Sequence, residues 1–204
     1  MNDWMQTYSA GQFFFDETAG ESQISILDIA RSLSRINRFL GHSTAPISVA
    51  EHSVVVMEIV ATEGGDTKEQ LYGLLHDAHE AYLGDMSRPL KRYLTEHHVF
   101  NISALERQVQ ARIYKALGIP MPTTADMALV ERADLYALAA ERRLYLPSAH
   151  DWHTDAVPLP EYVMGSYGVW GDDEAMRIFE KNFERLMASL KFDTRIAAEE
   201  AEAE

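Results

Sequence analysis

His76 and Asp77 stand side by side in LYGLLHDAHEAYLGD, residues 71–85, with His79 and Glu80 close behind them. These four polar groups interrupt an otherwise apolar run, and burying such groups without partners is expensive. A divalent ion is the simplest partner common to them, because imidazole nitrogen and carboxylate oxygen together suit ions of intermediate softness. Two more donors of the same kinds lie far off in sequence: His52 in SVAEHSVVV and Asp134 in VERADLYALAAERRLY. His52, His76, Asp77 and Asp134 therefore form a candidate metal set. Glu80, one turn after His76, can orient a water or carry a proton between a nucleophile and a leaving oxygen. An ion at such a site acidifies a water and offsets charge on a phosphoryl oxygen. Singly, each residue has a plainer reading: a satisfied core histidine, a capping aspartate, an exposed helix glutamate.

The elements that must position these groups are mostly helical. Ile26, Ile29, Ala30, Leu33, Ile36 and Leu40 follow the three-and-four spacing of an amphipathic helix that stops at Gly41. A second helix is predicted over 49–62, where VVVMEIVA is too long and continuous for a typical buried strand. A third is predicted over 68–83, ending at Gly84. Pro89 breaks the stretch after that, and helices follow over 97–117, 124–145 and 174–190. Residues 147–171 hold several prolines, glycines and aromatics and read as an ordered irregular loop. At the other end, the aromatic runs WMQTY and QFFFDE around SAG resemble a β-hairpin. The expected architecture is a mostly all-α, single-domain helical bundle over 21–192, with a small N-terminal hairpin appendage over 1–20 and an acidic tail over 193–204.

Composition narrows the function. The 204 residues are 47% hydrophobic and contain no cysteine, so any metal is held by nitrogen and oxygen. Lack of cysteine and of a basic, then apolar, leader points to a cytoplasmic protein. No run approaches the roughly 20 apolar residues that span a bilayer, so no membrane association is expected. A net charge of −14 argues against coating duplex nucleic acid. An anionic ligand would need a local basic pocket, which makes Arg38, Arg88 and Lys91 informative. Arg38 can grip a phosphate with its planar fork, or serve as a cation at a helix C-terminus. His42 could be a phosphate donor, a further ligand or a loop residue, and His79 could face a ligand or solvent. The aromatics Trp4, Tyr8 and Phe13 to Phe15 could cover a base or pack on the helices.

Taken in order, SVAEHS, LLHDAHEAYLGDMSRPLK and ADLYA resemble the HD-domain metal-dependent phosphohydrolases over about residues 33–146. Within them the sequence is similar to the bacterial 5′-deoxynucleotidase branch and related bacterial and phage deoxynucleoside triphosphate triphosphohydrolases. The resemblance implies a single HD-type helical domain, with His52, His76, Asp77 and Asp134 as metal ligands and Asp77 and Glu80 as catalytic groups. It implies a divalent transition metal, cobalt, manganese, zinc or iron, with magnesium as a candidate second ion. Arg38-Phe39 stands where the branch has an arginine and a large aromatic contacting phosphate and sugar, although the best-known relatives carry tryptophan there. Asp85 and Lys91 match substrate-pocket positions, for sugar hydroxyl and phosphate, and Arg88 is placed for a β- or γ-phosphate. The substrate would be a small nucleotide and the protein a homo-oligomer, dimer or higher. Alternatives are a di-iron HD-type oxygenase, which needs extra ligands around His79 and Glu80, and a non-catalytic nucleotide-sensing helical module.

Overall fold

A computed structural model describes residues 3–148 and 150–202, and within them the fold is mostly α with one small antiparallel sheet. Strands β1 (Trp4–Gln6) and β2 (Gln12–Phe14) form the expected hairpin, Trp4 opposite Phe14. Helices α1 (Ile26–Leu33), α2 (Val49–Thr62), α3 (Thr67–Leu75), α4 (Glu80–Leu83), α5 (Arg88–Glu96), α6 (Ile102–Leu117), α7 (Thr124–Tyr145), α8 (Glu161–Met164) and α9 (Asp172–Glu202) follow. No helix of the described residues is long and apolar enough to cross a membrane.

Helix α2 is the centre of the bundle, packed by α3, α7 and α9. Every residue from Val49 to Met57 is buried, with Ile59 and Val60 after the exposed Glu58, so nearly its whole circumference is covered. Ser48 caps it by accepting from the Glu51 amide. Capping boxes start α3 at Asp66 and α7 at Thr123, and Gly118 ends α6 with the left-handed φ that glycine allows.

Several predicted boundaries move, each for a local reason. The first helix stops at Leu33 rather than Gly41. Beyond it the chain straps onto the residues before α2: the Arg38 amide donates to the Ile47 carbonyl (2.8 Å), and the Val49 amide to the Ile36 carbonyl (2.9 Å). Arg38 to Gly41 then make a tight turn in which Phe39 and Leu40 take φ of 56° and 53°. Such conformations cost about 1–2 kcal/mol per residue outside glycine.

The helix expected over 68–83 is interrupted at residues 76–79. There the Gly73 carbonyl accepts from the His76 ring nitrogen Nδ1 (2.8 Å), and the Ala78, Glu80 and Ala81 amides reach back only three residues. Pro89 opens α5 instead of merely breaking the chain, since proline suits a first turn. Asn101 caps α6 five residues later than expected. The last helix runs on to Glu202 through most of the expected tail; Ala203 and Glu204 lie outside the described residues.

Candidate metal centre

Four side chains from three parts of the chain meet at one point. His52 comes from the buried first turns of α2, His76 and Asp77 from the tight turn after α3, and Asp134 from the middle of α7. The Nε2 atoms of the two imidazoles are 3.2 Å apart. Asp77 Oδ2 is 3.2 Å from His76 Nε2 and 3.7 Å from His52 Nε2. Asp134 Oδ1 is 3.2 Å from His52 Nε2 and 3.9 Å from His76 Nε2. Ligands about 2.1 Å from one cation lie roughly 3.0–3.4 Å apart along the edges of an octahedron or tetrahedron, so most of these spacings are those of a coordination shell.

Outer partners fix which nitrogen faces that point. His52 Nδ1 lies 2.7 Å from Glu141 Oε1 and His76 Nδ1 2.8 Å from the Gly73 carbonyl. Both acceptors take a proton bond, so both Nδ1 atoms donate and both Nε2 lone pairs converge. Burial and Arg38 work against a charged His52, yet Glu141 and Asp134 hold it up to about 10. Burial opposes ionised Asp77 and Asp134 as well. His76, His52 and Arg38 nevertheless keep Asp77 well below the usual carboxylate range, and the two histidines take Asp134 to about 2. The cluster thus attracts positive charge strongly, whether as protons or as a cation.

The carboxylates open onto a cavity of about 590 Å³ whose walls include Asp77, Glu80 and Asp134. Glu80 is buried, with Oε2 unpartnered among the described residues; burial, then Asp77 and Asp85, push its carboxyl up to about 9. Arg38, Phe39, Asp85, Arg88 and Lys91 line the same cavity, so the residues singled out for substrate come together, with one exception. His42 is exposed beyond the tight turn and is not among the lining residues, because that turn ends before it.

The cations are already engaged. Arg38 donates to Glu141 from Nε (3.2 Å) and from one terminal nitrogen (3.0 Å), and comes within 3.8 Å of Asp77. Lys91 pairs with Glu106 at 2.7 Å, and the exposed Arg88 stands 3.7 Å from Asp134. His79 does not face solvent: it is buried, bonded through Nδ1 and its amide to Gln110, with Nε2 3.7 Å from Glu106. Phe13 is fully buried and stacked on Tyr82 at 4.0 Å, so it packs on the helices.

Sequence reading missed Glu141 and Glu106, which pair with His52 and Lys91, and the loop residues Trp152 and His153, which line the cavity. Glu141 carries a signal in hindsight: it stands seven residues after Asp134, two turns along one face of α7. Trp152 carries none. It reaches the site because Arg142, beneath its ring at 5.3 Å, binds the carbonyls of Leu146, Pro147 and His150.

No family model matches the chain. It is 36% identical over 140 residues to the uncharacterized protein YfdR of Escherichia coli K12, an alignment spanning 69% of this chain and 71% of YfdR. The chain belongs to the YfdR family. An uncharacterized protein of Rhodobacter capsulatus is 37% identical over 101 residues, 48% of this chain and 50% of that one. Neither name carries an activity.

Proposed function

We propose that the protein is an HD-type, metal-dependent phosphohydrolase that cleaves the 5′ phosphoester of a deoxynucleotide, as a monophosphate nucleotidase or a triphosphohydrolase. The observation that carries the reading is the meeting of the two Nε2 lone pairs with Asp77 and Asp134 at coordination spacing, at the floor of a cavity with cationic and aromatic walls. His52, His76, Asp77 and Asp134 would hold a divalent transition metal, which when bound supplies a Lewis acid for a phosphoryl oxygen and acidifies a water. Arg38 orients the phosphate from the side of the cluster. A water oxygen attacks phosphorus, the bond to the sugar oxygen breaks, and the neutral, protonated Glu80 carboxyl can give its proton to the departing oxygen. Phe39 and Trp152, edge to face at 6.2 Å, offer flat apolar surface to the nucleoside.

The test is incubation of the purified protein with a panel of deoxynucleoside mono- and triphosphates and manganese or cobalt, reading phosphate against triphosphate. Asp77→Ala should lose bound metal and at least about 1,000-fold in rate, as removal of a central catalytic group does. Unchanged hydrolysis by that variant would refute the reading.

A second reading rests on its own observation: Asp77, His79 and Glu80 also bring ligand atoms within 4.8 Å of one another. A two-metal centre sharing Asp77 would accommodate the di-iron oxygenase chemistry. Two irons per chain by metal analysis, with oxygen consumption and no phosphate release, would favour it.

A further inference from the structure

Glu141 is a fully buried carboxylate whose oxygens face opposite ways into the site. Oε1 accepts from His52 Nδ1 at 2.7 Å and lies 3.1 Å from the Tyr167 hydroxyl, which has the Ala137 carbonyl as a second acceptor at 3.2 Å. Oε2 accepts both Arg38 bonds, at 3.2 and 3.0 Å. One side chain therefore holds a candidate metal ligand with one oxygen and the candidate phosphate grip with the other. We propose, resting on the phosphohydrolase reading, that Glu141 is the positioning residue that fixes His52 and Arg38 in register, so that the cation and the phosphate are presented to each other at a set separation.

The plainer alternative is a buried ion pair that merely fills space between α7 and the strap before α2. That alternative explains the Arg38 bonds but not the His52 bond. A neutral imidazole has two tautomers, and only the one with its proton on Nδ1 leaves Nε2 open toward His76, Asp77 and Asp134. Glu141 selects that tautomer. Arg38 needs an anchor for a different reason: it sits immediately before the strained residues Phe39 and Leu40, and its side chain also comes within 3.8 Å of Asp77. Without Glu141 the guanidinium would settle on Asp77, covering a carboxylate that the cation needs. The placement also follows from the helix: Asp134 and Glu141 lie two turns apart on α7, so one rigid rod carries a ligand and the group that orients another.

Glu141→Gln tests this, because it keeps the shape and turns one oxygen into an N–H2 group, leaving either His52 or Arg38 facing a donor. Zinc titration by calorimetry should show a dissociation constant raised about 10–100-fold, the usual cost of losing a histidine's outer partner. In the zinc-saturated protein, affinity for inorganic phosphate should fall as well, by at least about threefold. Unchanged affinity for both, in a folded variant with a lowered melting temperature, would mean a space-filling role and overturn the proposal.

If the variant does not fold, nitrogen NMR of the zinc-loaded wild type decides. A protonated His52 Nδ1 with zinc on Nε2 supports the proposal, and zinc on Nδ1 overturns it. A wild type that takes up no zinc at all is a different failure, which removes the metal reading of the site itself.

Discussion

Glu80 concentrates the conflict between stability and chemistry at a single residue. It is buried at the cavity wall beside Asp77, one oxygen has no partner among the described residues, and its carboxyl is pushed up to about 9 by burial first and then by Asp77 and Asp85. A carboxyl whose folded value is raised favours folding most at low pH, and that contribution drains away as pH climbs from its ordinary 4.5 toward 9. Glutamine has no proton to lose. Metal-free Glu80→Gln should accordingly melt above the wild type at pH 8, by about 2 °C or more, with the gap closing by pH 5. The same variant should retain its metal and lose about 100–10,000-fold in turnover. Differential scanning calorimetry across pH, with metal analysis and kinetics on one preparation, checks both halves. A variant that melts below the wild type at every pH would show that Glu80 is held by contacts other than the charge conflict described.

At the scale of elements, what could be read in the sequence was what periodicity and capping control. The 124–145 and 49–62 helices stand where the apolar spacing put them, since Ser48 and Thr123 are strong caps. What could not be read was decided by partners remote in sequence. Ser48 ends the first helix early by pairing with Asn37, and the His76 ring captures the Gly73 carbonyl within its own turn. The site shows the same division. His76, Asp77 and Glu80 stood out by interrupting an apolar run, and His52 and Asp134 as donors of the same kinds elsewhere in the sequence, whereas Trp152 arrives on an irregular loop whose path is set by Arg142. The hairpin was legible as a hairpin, and packing on the helices was one of the two roles its aromatics offered: Phe13 is fully buried on Tyr82, in the short helix that Glu80 opens, and Arg112 lies over the Phe13 ring at 4.7 Å. Phe13→Ala should cost about 3–5 kcal/mol in chemical denaturation. A loss below about 1 kcal/mol would make the hairpin a detachable appendage.

Over the whole molecule the charge is −14, while the ligand proposed for the cavity is itself an anion. Long-range attraction therefore cannot bring the substrate in; the net field repels it, and only Arg38, Arg88, Lys91 and Arg92 at the cavity walls oppose that field at short range. The two ranges respond differently to salt. Repulsion across many ångströms is screened once the Debye length falls to about 10 Å, near 0.1 M, whereas a bidentate contact in a half-enclosed pocket is screened much less. Adding salt from about 10 to 100 mM should therefore raise kcat/KM for a nucleotide, mainly through faster association, before higher salt lowers it. Arg92 is the most exposed of the four, with only a 3.9 Å contact to Glu96 along its helix. Arg92→Glu should lower kcat/KM several-fold at 10 mM salt and much less at 100 mM, leaving kcat unchanged. Initial rates at sub-KM substrate over a salt series measure both slopes. A steady fall of kcat/KM from the lowest salt upward would show that the cavity's own cations outweigh the acidic exterior at long range.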